Sequence, residues 1–144
     1  MTKKDIHIGI PRALLYHEFG ALWTEFFRRS RTAFTVSNET NRQILDRGAM
    51  LAVDESCLPL KIYLGHVDSL LSATSHIFIP RIAQYHKNLY FCAKFAGLPD
   101  IIKNTFNLDD NRLICPTLDT PSPLGMLKCL KSVCNAISYS SLYG

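Results

Sequence analysis

Apolar positions along this chain alternate between two rhythms. Ile6, Ile8 and Ile10 alternate with His7 and Gly9, which predicts a strand that runs into Pro11 and leaves Arg12 at its C-terminal end. From residue 13 to 29, Leu15, Phe19, Leu22, Trp23, Phe26 and Phe27 trace a single stripe at the period of an amphipathic helix. Residues 33–36 read as a second strand. The run Ser37-Asn38-Glu39-Thr40-Asn41 offers turn and N-cap residues for a short helix ending near Arg47-Gly48. Met50-Leu51-Ala52-Val53 reads as a short buried third strand. Leu60, Leu64, Val67 and Leu71 mark the helix after it, which is expected to run to residue 73. Residues 76–79 predict a fourth strand, closed by Pro80 and followed by Arg81. Residues 82–90 carry no clear period. A short helix is expected near 101–105, a fifth strand over 112–115 closed by Pro116, a loop over 117–123, and a final helix over 124–138.

Strands alternating with helices imply parallel pairing through right-handed crossovers. The expected fold is therefore α/β: a three-layer Rossmann-like or flavodoxin-like single domain over residues 1–144. Its mostly parallel five-stranded sheet is expected in the order 2-1-3-4-5. A hydrophobic content of 47% is enough for a core of ordinary size. The net charge of +4 is mild, from 16 Lys and Arg against 12 Asp and Glu. The basic cluster Arg28-Arg29-Ser30-Arg31 falls at the end of the first helix, where cations suit the helix dipole, so no nucleic-acid partner is expected. No apolar run is long enough to span a bilayer, and residues 1–5 pass into the strand pattern without a signal-peptide segment. A cytoplasmic address is expected, with no membrane partner. The five cysteines, odd in number, are then not expected to form a disulfide framework.

Residues 54–61, Asp-Glu-Ser-Cys-Leu-Pro-Leu-Lys, gather acid, thiol and base in one turn. Cys57 is expected where the strand at 50–53 ends and a helix begins. That is the crevice where open α/β sheets bind ligands, and a helix N-terminus there lowers a thiol's pKa. Arg12, Arg81 and Cys115 are also expected at strand C-termini, with Cys92 on the irregular segment after the fourth strand. The repeat Ile-x-Ile-Pro-Arg, at Ile8–Arg12 and again at Ile77–Arg81, would hand both arginines to one sheet edge. That edge would then hold three thiols able to bind iron and two guanidinium groups able to meet an anion. Cys129 and Cys134, five apart on the last helix, read as small core residues. Asp54 and Glu55 read as favourable helix-end charges in preference to catalytic acids and bases, and His66 as a solvated or locally hydrogen-bonded imidazole. Neither a Gly-x-Gly-x-x-Gly nor a Walker pattern occurs, so ATP binding by this chain is not expected.

Four segments carry a resemblance in order: Ile8–Tyr16, Ala52–Lys61 with Gly65-His66-Val67, Ile77–Arg81, and Cys92–Asp100. Together they resemble the domain of CoA-substrate-specific enzyme activases and activase-related proteins, relatives of the cluster-carrying component of 2-hydroxyacyl-CoA dehydratases. The resemblance implies a Rossmann-like half-domain and cysteine ligation of a [4Fe-4S] or double-cubane iron–sulfur cluster, with Cys57 and Cys92 at the matching positions. The family pattern usually has proline after the second cysteine, where this chain has Ala93. Family members usually continue into a second similar domain, so this chain is expected to equal one half of them. It would act only within an acyl-CoA dehydratase or reductase type of complex, with acyl-CoA as the implied ligand. Cys57, Cys92 and Cys115 give three thiolates at most, against the usual four. A second domain, a partner subunit or a second copy should then complete the site, and an apolar patch beside Cys57 is expected to assist that pairing.

Overall fold

The computed structural model describes residues 6–82, 84–86, 88–118 and 122–143. They fall into two compact units, one ending at Phe78 and the other beginning at Ile79. Residues 1–5, and residues 119–121 of the loop expected over 117–123, lie outside the described residues.

The first unit is a parallel sheet with helices on both faces. Strand β1 (His7–Ile10) pairs in parallel with β2 (Ala33–Val36) on one side and with β3 (His76–Phe78) on the other. Gly9 lies opposite Ile77, so the two share a face, and Phe78 points to the other. On the Phe78 face packs helix α1 (Tyr16–Arg29): Trp23 and Phe27 are buried, with ring centroids 4.9 and 5.2 Å from that of Phe78. Arg28 and Arg29 end this helix exposed and ion-paired to Glu25, as its dipole favours. On the Gly9 face lies helix α3 (Leu58–Leu71). A β-carbon on Gly9 would stand 3.2 Å from that of Leu70, so the missing side chain is what lets the helix approach.

The connection from β2 to β3 departs from expectation. Helix α2 (Arg42–Leu51) starts at Asn41, whose side chain accepts the Ile44 N–H at 3.0 Å, and it continues through Met50 and Leu51. No strand forms over 50–53. Met50 and Val53 are exposed, and a turn closed by the Ser56 N–H to the Val53 carbonyl leads directly into α3. The apolar character of this run is surface character. Two antiparallel helices therefore stand where a helix, a strand and another helix were expected. Their contact is made by glycines: a β-carbon on Gly48 would lie 1.7 Å from the Lys61 carbonyl oxygen, and one on Gly65 1.9 Å from that of Ile44. The observed order β2-β1-β3 keeps the expected pattern at the sheet's start, with the predicted fourth strand in the third strand's place.

In the second unit the expected closure of strands by proline gives way to interruption. Beyond Pro80, β4 (Arg81–Ile82) pairs in parallel with β8 (Thr117–Leu118), and β7 (Leu113–Ile114) precedes Pro116. The Ile79 N–H donates to the Ile114 carbonyl and the Arg81 N–H to the Pro116 carbonyl. Proline lacks a donor but keeps its acceptor, so each ladder runs on through carbonyls. Residues with no readable period hold an antiparallel ribbon, β5 (Gln84–His86) with β6 (Leu89–Tyr90). Then come α4 (Ala93–Ala96), α5 (Leu98–Phe106) and a short 3₁₀ turn that leads into β7, and α6 (Pro123–Tyr143) follows β8. Ile79, Ile82, Leu98, Ile102, Ile114, Leu118, Cys129 and Val133 form this unit's buried set. No described helix is long and apolar enough to cross a membrane.

Candidate functional site

Cys57 is the N-cap of α3, with extended backbone angles (φ −65°, ψ 152°). Its carbonyl accepts the N–H groups of Leu60 and Lys61, both at 3.1 Å, and Pro59 sits in the first turn, where its missing donor costs nothing. The thiol is exposed at the end of a helix hairpin and not at the end of a strand. The helix dipole still points its positive end there. Asp54 and Glu55 are exposed in the same turn, and the Lys61 ammonium donates to the Asp54 backbone carbonyl at 3.2 Å. Met50, Val53 and Leu58, which flank this turn in sequence, are exposed, in keeping with the apolar surface expected beside Cys57.

Cys92 occupies the same local position on a much smaller helix. It is the exposed N-cap of α4 (φ −51°, ψ 140°), and its carbonyl accepts the Phe95 N–H at 2.9 Å. Phe91 and Phe95 stack on either side of it in sequence, 5.1 Å between ring centroids. Arg81 fastens this segment. Its guanidinium donates to the Ala96 carbonyl at the end of α4 and, at 2.9 Å, to the Asp100 carboxylate in the first turn of α5. Cys115, between β7 and β8, is half-buried, and burial pushes its thiol up to about 11 despite the nearby Arg81 charge. The proton stays on at neutral pH. Cys129 is buried, as expected of it, whereas Cys134 is exposed and no core residue, because five positions turn the helix well past the buried side. None of the five is in a disulfide.

Arg12 follows β1 and pairs with Glu39 at 3.1 Å, its backbone N–H donating to the Ser37 hydroxyl at 2.8 Å. Ser37 also meets Nδ1 of His66 at 2.8 Å, and Nε2 of His66 meets the Thr40 hydroxyl at 3.0 Å. Ser37 Oγ thus accepts from the Arg12 N–H and meets one ring nitrogen of His66 while Thr40 meets the other, so both nitrogens of the imidazole have hydroxyl partners. His66 is fully buried on α3, and burial first, then the charges of His17 and Arg12, hold its pKa below 6.5. The imidazole, expected to be solvated or locally hydrogen-bonded, is buried and bonded to residues far away in sequence, a clamp joining the loops after β1 and β2 to α3. Its position was readable: three residues after buried Tyr63 and four before buried Leu70, it lies on the helix's inward face.

A family model described as the CoA enzyme activase uncharacterised domain matches residues 7–140. This chain belongs to that family. The match extends past the motifs ending at Asp100 to take in β7, β8 and most of α6. No curated protein and no solved structure matches the chain. Among the described residues of this activase-family domain, no three His, Cys, Asp or Glu side chains come together as a metal ion would need.

Proposed function

We propose that this activase-family domain lends Cys57 and Cys92 as thiolate ligands to a low-potential iron–sulfur cluster, [4Fe-4S] or double-cubane. A second domain or subunit of a dehydratase/activase-type system completes the site. The observation that carries the reading is that both cysteines are exposed helix N-caps with similar backbone angles. At that position a thiol is open to a large ligand, and for Cys57 the positive end of a fourteen-residue helix dipole points to the same place. Cys115 is the third candidate, and iron there must displace a proton that burial holds in place. The donor set fits a cluster in kind and falls short in number, which is why ligands from outside the chain belong to the proposal. When bound, the cluster supplies one-electron transfer. Arg12, partly exposed and held by a single carboxylate, offers its charge to an anion such as an acyl-CoA phosphate. Arg81, already engaged by Ala96 and Asp100, meets that anion only at Asp100's expense and otherwise positions the Cys92 segment.

A second reading is a cluster-free α/β domain serving as a binding or assembly module, and the lack of three gathered ligands among the described residues favours it. Anaerobic reconstitution with iron and sulfide, alone and with candidate partner subunits, separates the two. The cluster reading expects brown protein whose iron falls in Cys57→Ser and in Cys92→Ser. Colourless, iron-free protein under both conditions would leave only the assembly module.

A further inference from the structure

Two exposed patches carry opposite rims. At the tip of the α2–α3 hairpin, Met50, Val53 and Leu58 keep 76, 71 and 57% of their surface in solvent. Between them in sequence stand exposed Asp54 and Glu55, neither of which is in an ion pair among the described residues, since Lys61 is turned to a backbone carbonyl. On α6, Leu124 and Leu127 keep 63 and 49%. Lys128 and Lys131 follow them at i+4 from each, so that all four lie on one side of the helix. Both lysines are exposed, and neither is in an ion pair among the described residues. Cys129 and Val133 face the buried side, so this stripe is not what holds α6 in place. One patch is apolar with an acidic rim; the other is apolar with a basic rim.

We infer that the hairpin tip of one copy docks on the Leu124–Lys131 stripe of a second copy. Charge decides the pairing. Tip against tip sets carboxylates against carboxylates, and stripe against stripe sets ammonium groups against ammonium groups, whereas tip against stripe pairs opposite signs around an apolar centre. The contact joins unlike halves, and each copy offers both. With few side chains on each surface, the contact is weak and salt-sensitive. It also covers the neighbourhood of Cys57. The inference does not rest on the cluster reading, because every group involved belongs to the iron-free chain.

Sedimentation velocity on the iron-free full chain tests it, with two double variants at exposed positions: Val53→Glu with Leu58→Glu at the tip, and Leu127→Glu with Lys131→Glu on the stripe. Circular dichroism melting checks that both still fold. The wild type should form species that grow with concentration and shrink as salt is raised. Each variant alone should associate about tenfold more weakly or less, the loss of about 1.4 kcal/mol that removing apolar contacts of this size implies. An equimolar mixture should give a 1:1 dimer and nothing larger, because each variant keeps the half that the other lacks. A wild type that stays monomeric overturns the inference and leaves the tip to a different protein. So does a stripe variant that associates like the wild type, or a mixture that does not dimerise.

Discussion

Cys57 and Cys92 have similar backbone angles and opposite support. Cys57 caps a helix of fourteen residues, seven of them buried, pressed against α2 through the backbones at Gly48 and Gly65. Cys92 caps a helix of four residues, none buried, tied down by one guanidinium. The first thiol is placed by packing that the whole unit must break to move; the second is placed by two hydrogen bonds from Arg81. Cys57 is therefore held rigidly within its unit and Cys92 adjustably within its own.

Breaking the rigid side has the largest expected effect. In Gly65→Ala the new carbon meets the Ile44 carbonyl oxygen at 1.9 Å, backbone against backbone, and neither helix can yield without parting from the other. A loss of about 3 kcal/mol is expected from such overpacking. Urea unfolding measures it, and a variant as stable as the wild type would show that the hairpin is not seated as described. His66→Gln comes next, at about 2 kcal/mol for a buried, doubly bonded group. It also carries a pH signature. Because the folded protein holds the His66 pKa below 6.5, neutral His66 contributes its full share above that pH. That share is lost as pH falls below 6.5 toward the lowered folded value, since there the unfolded chain binds the proton first. The wild type should lose stability over this range more steeply than His66→Gln; parallel profiles would deny His66 that role.

The adjustable side should respond differently. Arg81→Met removes two charge-assisted bonds at a partly exposed group, a cost of about 1 kcal/mol once solvent screening is allowed for. The local effect should exceed the global one. Amide exchange over residues 93–100 should quicken while that of α3 stays unchanged, and equal acceleration everywhere would make Arg81 an ordinary stability residue.

These contrasts mark what the sequence could tell. β2 was legible to its ends, and so were the apolar stripe of α1 and the polar run before α2 that holds its cap, Asn41, because each is a local pattern with a local cause. The apolar run at 50–53 was not legible. Four residues fit a buried strand and a helix end equally well, and nothing in Met50 or Val53 says that they face solvent. The pairing of β4 with β8 was hidden by Pro80 and Pro116, which read as stops although their carbonyls remain usable. As for the site, the motifs put Cys57 and Cys92 forward and both are exposed helix N-caps, but the reason given for Cys57, the end of a strand, was replaced by the tip of a hairpin. The Ser37–His66–Thr40 chain spans too much sequence for any local pattern to show its partners, although the inward side of α3 already contained His66.

Thiol footprinting tests the central proposal most directly, and the chain carries its own control. Cys57, Cys92 and Cys134 are all exposed, and Cys57 and Cys92 alone among them are assigned to iron. Protein reconstituted anaerobically with iron, sulfide and its completing subunit is alkylated in parallel with iron-free protein, and each cysteine is followed by mass spectrometry. Protection of Cys57 and Cys92 upon loading, with Cys134 reacting at its iron-free rate, is the predicted result. Iron bound in full while Cys57 and Cys92 react as fast as in the iron-free protein would contradict it.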